Sequence, residues 1–144
     1  MTALSSGTPL YFVDTNIWLY AFIVGQDAAK SAKAQVALHL HTDNIIISTQ
    51  VVNEVCLNLL KKAHLPETNI KPIIESFFQR YRVAEITKDV LWKASDVRAQ
   101  HKFSYWDSIL VATALLSGAS ILLSEDMDTS LTIEQKLTIS NPLI

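Results

Sequence analysis

Short apolar runs that alternate with helix-forming segments constrain the fold of this chain most strongly. The run at residues 10–13 is rich in β-forming side chains and stops abruptly at Asp14, which is typical of a strand buried on both faces. Similar runs follow at residues 45–47, 83–86, 121–123 and 137–139. Parallel strands need long crossover connections, so this alternation predicts βαβ units. We therefore predict an α/β fold, a three-layer α/β/α sandwich with a central, mainly parallel sheet.

Helix signals fill the intervals between these runs. Helix-forming residues, polar N-caps and glycine breaks delimit the segments. The predicted helices cover residues 16–24, 28–40, 49–63, 66–81, 90–100 and 108–117. No internal repeat or linker interrupts the sequence, so we expect residues 1–144 to form a single domain in which residues 1–9 are a flexible leader.

Composition excludes several classes of protein. With 49% hydrophobic and 18% charged residues, the chain is not disordered. The longest apolar run, at residues 109–116, is far shorter than the roughly 20 residues that span a bilayer. No signal-peptide pattern opens the sequence and Cys56 is the sole cysteine, which favours a cytoplasmic location. The net charge of −2 lacks the basic excess of a domain held on nucleic acid by phosphate contacts alone, so a nucleic-acid role requires a local site or a partner.

Acidic residues stand where a parallel sheet binds its ligands, beyond the carboxyl ends of the strands. Asp14 ends the first strand, Asp126 follows a later one, and Asp107 starts the helix that leads into that later strand. Glu54 lies within an otherwise apolar helix. Burying such carboxylates together raises their pKa values and costs several kcal/mol, whereas a divalent cation with oxygen ligands removes that cost. The pattern predicts a Mg²⁺ or Mn²⁺ site formed by these four acids.

Each acid also has a purely structural interpretation. Asp107 is a favourable charge in the first turn of a helix, Asp126 fits a polar turn, and Glu54 can extend to solvent from the helix edge. Asp14 is the hardest to explain in this way, because an acid directly after an apolar strand is costly unless a turn or a ligand uses it. Together, the four acids favour the metal site.

The order and spacing of these acids resemble those of the PIN-domain ribonucleases, and within them the VapC-type toxins of bacterial toxin–antitoxin pairs. The resemblance runs from about Leu10 to the end of the chain. It rests on Val13-Asp14-Thr15-Asn16, Glu54 on an apolar helix, Trp106-Asp107-Ser108 opening a helix, and Leu122-Leu123-Ser124-Glu125-Asp126.

This resemblance implies a PIN-like fold and an endoribonuclease, a hydrolase that uses Mg²⁺ or Mn²⁺. By position, the four acids match the metal-binding acids of that family, and Thr15, Asn16 and Ser124 match the polar positions beside them. Asp126 is favoured as the fourth acid because it lies closest to the strand end, with Asp128 in reserve. In the implied mechanism, a metal-activated water attacks a phosphodiester in line and leaves a 5′-phosphate and a 3′-hydroxyl, while the carboxylate on the apolar helix binds metal through water or orients the nucleophile.

The resemblance also implies partners: an RNA substrate, a second copy in a homodimer, and a cognate antitoxin whose C-terminal segment occupies the acidic groove. Arg98, His101 and Lys102 are candidates to steer the RNA backbone, although a solvated charged face is the simpler interpretation. Tyr105 and Trp106 are candidates to stack on unpaired bases. For Trp106 we favour core packing, because it opens an apolar helix.

Other functional classes fit less well. A haloacid-dehalogenase-like phosphatase needs a second Asp two residues after the first, but position 16 is Asn. A receiver domain needs an Asp at the end of a central strand, where this sequence has Ile47-Ser48. A P-loop or dinucleotide fold needs a glycine-rich phosphate loop, which is absent. The alternative that remains is a PIN-like RNA-binding or protein-interaction module with little or no catalytic activity.

Overall fold

The computed structural model describes residues 8–144, and one six-stranded sheet organises them. The strands are β1 (Tyr11–Val13), β2 (Ile45–Ser48), β3 (Arg82–Ala84), β4 (Ile121–Leu123), β5 (Thr132–Ile133) and β6 (Leu137–Ser140). They lie in the order β3-β2-β1-β4-β6-β5, and every neighbouring pair is parallel except β5 with β6. Residues 1–7 of the predicted leader 1–9 lie outside the described residues.

Helices cover the sheet on both faces. They are α1 (Thr15–Phe22), α2 (Ala28–Leu40), α3 (Thr49–Lys61), α4 (Ile70–Arg80), α5 (Lys88–Gln100) and α6 (Tyr105–Leu116). The chain moves from β1 outward to β3 and then crosses back to place β4 on the other side of β1. Right-handed crossovers in opposite directions put α1 to α4 on one face and α5 with α6 on the other, and the helices of each group pack against one another. The predicted α/β/α sandwich with a mainly parallel sheet is confirmed.

The core fixes the end of the central strand. Phe12 and Val13 are fully buried, and Trp18 on α1 is 1% exposed. The indole N–H of Trp18 donates a hydrogen bond to the carbonyl oxygen of Val13 at 3.2 Å. The Trp18 ring packs edge-on against Phe77 and Tyr81, each with ring centroids 5.1 Å away. These contacts hold α1 against the end of β1 and so fix the position of the acid between them.

Several details differ from the sequence prediction, among them helix α4, which begins at Ile70 rather than at residue 66. Strand β5 was not predicted, because two residues are too few to show an alternating pattern. Strand β3 spans Arg82–Ala84 rather than 83–86. Helix α6 begins at Tyr105, three residues before the predicted start, because the side chain of Ser104 caps it. Within residues 8–144, none of the helices has the length and apolar character needed to cross a membrane.

Candidate metal centre

The predicted acids meet where the strand order changes direction, between β1 and β4. In an open parallel sheet this is where a crevice forms beyond the carboxyl ends of the strands. The backbone N–H of Asp14, just after β1, donates to the carbonyl oxygen of Leu123 on β4 at 2.9 Å. The hydroxyl of Ser124 donates to Oδ2 of Asp14 at 2.8 Å. The ends of the two strands are therefore joined through Asp14.

Asp14 also caps helix α1. Its Oδ1 accepts the N–H of Thr15 at 2.7 Å, so both carboxyl oxygens are engaged and the side chain is held in one orientation. Burial raises the pKa of Asp14 to about 6, although the hydrogen bonds from Ser124 and Thr15 oppose that rise. The negative charges of Asp107 and Glu54 raise the pKa further. Capping the helix does not by itself explain why a carboxyl group stands where its ionised form is so disfavoured.

Asn16 holds the loop that follows β4. Its Nδ2 donates to Oδ2 of Asp126 at 2.9 Å, and its Oδ1 accepts the N–H of Glu125 at 3.3 Å. The N–H of Asp126 also donates to the Ser124 hydroxyl at 3.3 Å. The neighbouring carboxylate of Glu125 is ion-paired with Lys30 on α2. This loop therefore presents Asp126, and not Glu125, beside the other acids.

Helices α6 and α3 supply the other two acids. The N–H of Asp107 donates to Oγ of Ser104 at 3.1 Å, which fixes the acid in the first turn of α6. Burial raises the pKa of Asp107, the Ser104 hydroxyl opposes the rise, and the charge of Asp126 adds to it. Burial likewise raises the pKa of Glu54, where the Thr15 hydroxyl opposes the rise and the charge of Asp107 adds to it. The carboxyl groups thus disfavour one another's ionised forms.

Two cavities flank Asp107. A small one of about 70 Å³ is lined by Asp14, Glu54 and Asp107, together with apolar side chains such as Ile109. A single water needs roughly 10–15 Å³ of such volume, so this cavity has room for an ion with water around it. A second cavity of about 250 Å³ is also lined by Asp107 and reaches Asp126. Asp107 stands at the boundary of the two.

The donor set suits a hard divalent cation. Its side chains offer carboxylate oxygens, the ligands that Mg²⁺ and Mn²⁺ prefer. The buried hydroxyl oxygen of Thr15 beside Glu54 lacks a hydrogen-bond partner of good geometry. Across residues 8–144, however, no three acidic, His or Cys side chains lie close enough to ligate one ion as they stand. The residues fit a metal by their chemistry and charge, and binding would require side chains to turn inward.

Comparison with known proteins identifies the family. The sequence model of the PIN domain matches residues 11–132, most of the chain. The chain belongs to the PIN-domain family. Comparison with curated proteins finds no match.

Several solved structures share this fold. A toxin–antitoxin complex from Klebsiella pneumoniae matches with a TM-score of 0.68 and 22% identity, covering 92% of this chain and 97% of that chain. VapC20 from Mycobacterium tuberculosis, a toxin that cleaves the sarcin–ricin loop, matches with a TM-score of 0.66 and 20% identity, covering 82% and 91%. DNA-bound VapBC from Salmonella typhimurium gives 0.66 and 16%, covering 94% and 99%. The resemblance to VapC proteins is confirmed for the fold.

The PIN fold brings the four predicted acids to one edge of the sheet, in two overlapping groups. Asp14, Glu54 and Asp107 share the smaller cavity, and Asp107 shares the larger one with Asp126 and Asp128. The bond from Asn16 and the charge interaction with Asp107 distinguish Asp126 from Asp128. The predicted supporting residues Thr15, Asn16 and Ser124 all lie against the acids. Their assignment as a metal site remains a prediction.

Three features of the site were not predicted. The prediction that Trp106 packs in the core is wrong: its side chain lies in the first turn of α6 and is 65% exposed. The cap at Ser104 was missed, although a serine three residues before an acid is a recognisable helix-start signal. The Lys30–Glu125 pair joins residues 95 positions apart, so no local pattern announces it.

Proposed function

We propose that this PIN domain is a Mg²⁺- or Mn²⁺-dependent endoribonuclease and the toxin of a type II toxin–antitoxin pair. The observation that carries the proposal is the small cavity lined by Asp14, Glu54 and Asp107, each with its pKa raised by burial. Ionised carboxylates in such a place destabilise the fold unless a cation neutralises them. A purely structural role explains one partly buried acid, but not three around one cavity.

In the proposed site each residue has a separate role. Asp14 and Asp107 would hold the ion, and Glu54 would bind it through water or orient the attacking water. Asp126 completes the set from the larger cavity, where Asn16 holds it in place. A bound divalent cation lowers the pKa of water and neutralises charge that develops on a phosphate.

Basic side chains line the larger cavity. His101 and Lys102 lie there together with Asp107 and Asp126. In the proposed complex they contact the phosphates of the RNA backbone, and the charge of Lys102 reduces its repulsion by the acids. The net charge of the chain is only −2, so Lys102 and the metal carry the attraction for RNA.

The proposed partners are an RNA substrate, a second copy of the chain and a cognate antitoxin. Support comes from similar structures, which include VapC20, a toxin that cleaves the sarcin–ricin loop, and two toxin–antitoxin complexes. Exposed apolar side chains on and beside α1 and α4 offer surface for a protein partner: Phe22 is 45%, Val24 68% and Phe78 51% exposed. Co-purification tests whether the antitoxin or the second copy covers this surface.

The nuclease assignment is tested by incubating the purified protein with structured and single-stranded RNAs in Mg²⁺, Mn²⁺ or EDTA. The parent should cut RNA only with metal, and Asp107→Asn should abolish cutting. Asp43→Asn is the matched control, because Asp43 is exposed and precedes β2, at the opposite end of the sheet from the acids. Undiminished cleavage by Asp107→Asn would refute the site. RNA binding without cleavage by the parent would favour the alternative, a non-catalytic binding module.

The toxin assignment is tested separately in cells. Expression of the parent should arrest growth, and the Asp107→Asn variant should not. Co-expression of an antitoxin encoded beside this chain should restore growth. Normal growth with abundant soluble parent protein would contradict the toxin assignment and leave the nuclease assignment to the cleavage assay.

A further inference from the structure

Two aromatic side chains stand exposed beside the acids. Tyr105 and Trp106 form the first turn of α6 and are 55% and 65% exposed. Trp106 lines the same small cavity as Asp14 and Asp107. A large ring at the mouth of an acidic cavity adds nothing to the core, so its position requires another explanation.

Contacts within the turn hold the aromatic pair in place. The rings of Tyr105 and Trp106 meet edge to face, with centroids 5.8 Å apart and an angle of 80° between their planes. The guanidinium of Arg98 lies 4.3 Å from the centre of the Tyr105 ring and donates to Oγ of Ser108 at 2.7 Å. The Ser108 hydroxyl in turn donates to the carbonyl oxygen of Tyr105. The pair is therefore an ordered surface feature, anchored by a half-buried arginine.

The surroundings of the pair distinguish a nucleic acid from an apolar partner. Trp106 lines one of the two cavities to which Asp107 contributes, while His101 and Lys102 line the other. An aromatic ring, carboxylates and basic side chains therefore line two cavities that share Asp107. One RNA strand offers a partner for each of these groups: a base for the aromatic ring, the phosphate that is cut for the metal held by the carboxylates, and the next phosphate for the basic side chains.

We propose that Trp106, supported by Tyr105, stacks on an unpaired RNA base next to the phosphate that is cleaved. The ring is thus a determinant of specificity that selects single-stranded segments, because a base within a duplex offers no free face. This inference rests on the proposed ribonuclease function and adds to it a residue that determines which RNA segments the site accepts.

Binding to two RNAs of equal composition, one unpaired and one a closed duplex, tests the inference. Fluorescence anisotropy is measured in an Asp14→Asn background, which prevents cleavage. Trp106→Leu should weaken binding of unpaired RNA roughly 5- to 100-fold, and Trp106→Phe should retain most of it. Trp92→Leu is the matched control, because Trp92 is 70% exposed on α5 and lies outside both acidic cavities. Duplex binding should not change in any of these variants.

Tryptophan emission gives a second readout of stacking. Unpaired RNA should quench the emission of a Trp92→Phe variant, which keeps Trp106, and should leave a Trp106→Phe variant almost unquenched. Equal binding of unpaired RNA by Trp106→Leu and its parent would overturn the inference. An equal loss for duplex and unpaired RNA would also overturn it, as would a loss confined to binding of a protein partner.

The outcomes separate this inference from the function on which it rests. If RNA cleavage depends on Asp107 but is the same in Trp106→Leu and the parent on every RNA, the stacking role is wrong and the nuclease stands. If the parent neither binds nor cuts any RNA, both proposals are wrong. Because Trp106 is exposed, its substitution should leave the thermal unfolding midpoint nearly unchanged, which checks that the variant folds.

Discussion

The free energy of unfolding of the metal-free parent should rise as the pH falls, because Asp14 takes up a proton in the folded state. Replacing Asp14 by Asn should remove this rise. Burial raises the pKa of Asp14 in the folded protein to about 6, from an ordinary value of 3.8. Between these values the folded state takes up a proton that the unfolded state does not. The added stability is therefore complete below about pH 4 and is lost as the pH rises through about 6. Asn does not titrate, so the variant should lack this dependence.

The size of the effect follows from the shifted pKa. At pH 5 a pKa of about 6 means that protonated Asp14 exceeds ionised Asp14 roughly tenfold in the folded state, whereas the unfolded chain is almost fully ionised. This proton uptake stabilises the folded state by about 1 kcal/mol. At pH 4 the difference approaches about 2 kcal/mol, because protonation of the unfolded chain begins to offset it. The Asn side chain can still accept the N–H of Thr15, and Ser124 can accept from its amide. Rearranging these bonds should cost no more than about 1 kcal/mol.

The assay is urea unfolding of parent and variant in EDTA at pH 8 and pH 5. Glu54 and Asp107 are present in both proteins, so most of the change in the parent–variant difference comes from Asp14. That difference should move by about 1 kcal/mol in favour of the parent between the two pH values. Added Mg²⁺ at pH 8 should raise the stability of the parent alone, by mass action on the folded state. A parent–variant difference that stays constant with pH would refute the reasoning.

Three further predictions concern residues that position the site. Asn16→Ala should lower metal-dependent RNA cleavage about 10- to 100-fold with little change in the unfolding midpoint, because it frees Asp126. Unchanged cleavage would contradict a positioning role of the hydrogen bond between Asn16 and Asp126. Trp18→Ala should cost about 3–5 kcal/mol in urea unfolding, because a fully buried ring and its hydrogen bond to the end of β1 are lost, and a cost below 1 kcal/mol would be inconsistent with its burial. Ser104→Ala should cost about 1 kcal/mol through loss of the α6 cap, and no measurable loss would argue against that cap.

Much of the fold follows from local patterns in the sequence. An apolar run that stops at Asp14 identifies a buried strand and places its acid at the edge of the sheet where the strands have their carboxyl ends. The rules for parallel crossovers then bring Asp107 and Asp126 to the same edge. Strand β5 escapes this reasoning because its two residues have no period, and it forms by pairing with β6.

The sequence offers candidate site residues but not their geometry. The sequence identifies the four acids, yet it does not say that Asp14 and Glu54 share one cavity while Asp126 lies in another. That division depends on the first turn of α6, whose start was placed three residues too late. Trp106 was assigned to the core because it opens an apolar helix, but a residue in the first turn of such a helix can still face solvent, as Trp106 does.

Long-range pairs explain the remaining gap. Asn16 contacts Asp126 across 110 positions of sequence, and the Lys30–Glu125 pair spans 95. Neither pair has the short sequence spacing by which contacts within a helix or a hairpin can be predicted. Both hold the loop after β4, so this loop is the part of the site that only the folded structure reveals.

The central claim is that the acidic cleft binds a divalent cation, and calorimetric titration with Mn²⁺ tests it most directly. The parent and the Asp43→Asn control should bind one or two ions per chain with the same affinity. Asp107→Asn should bind at least about tenfold more weakly, because it removes a charged oxygen ligand at the boundary of both cavities. Equal binding by all three proteins, or no binding by the parent, would contradict the account.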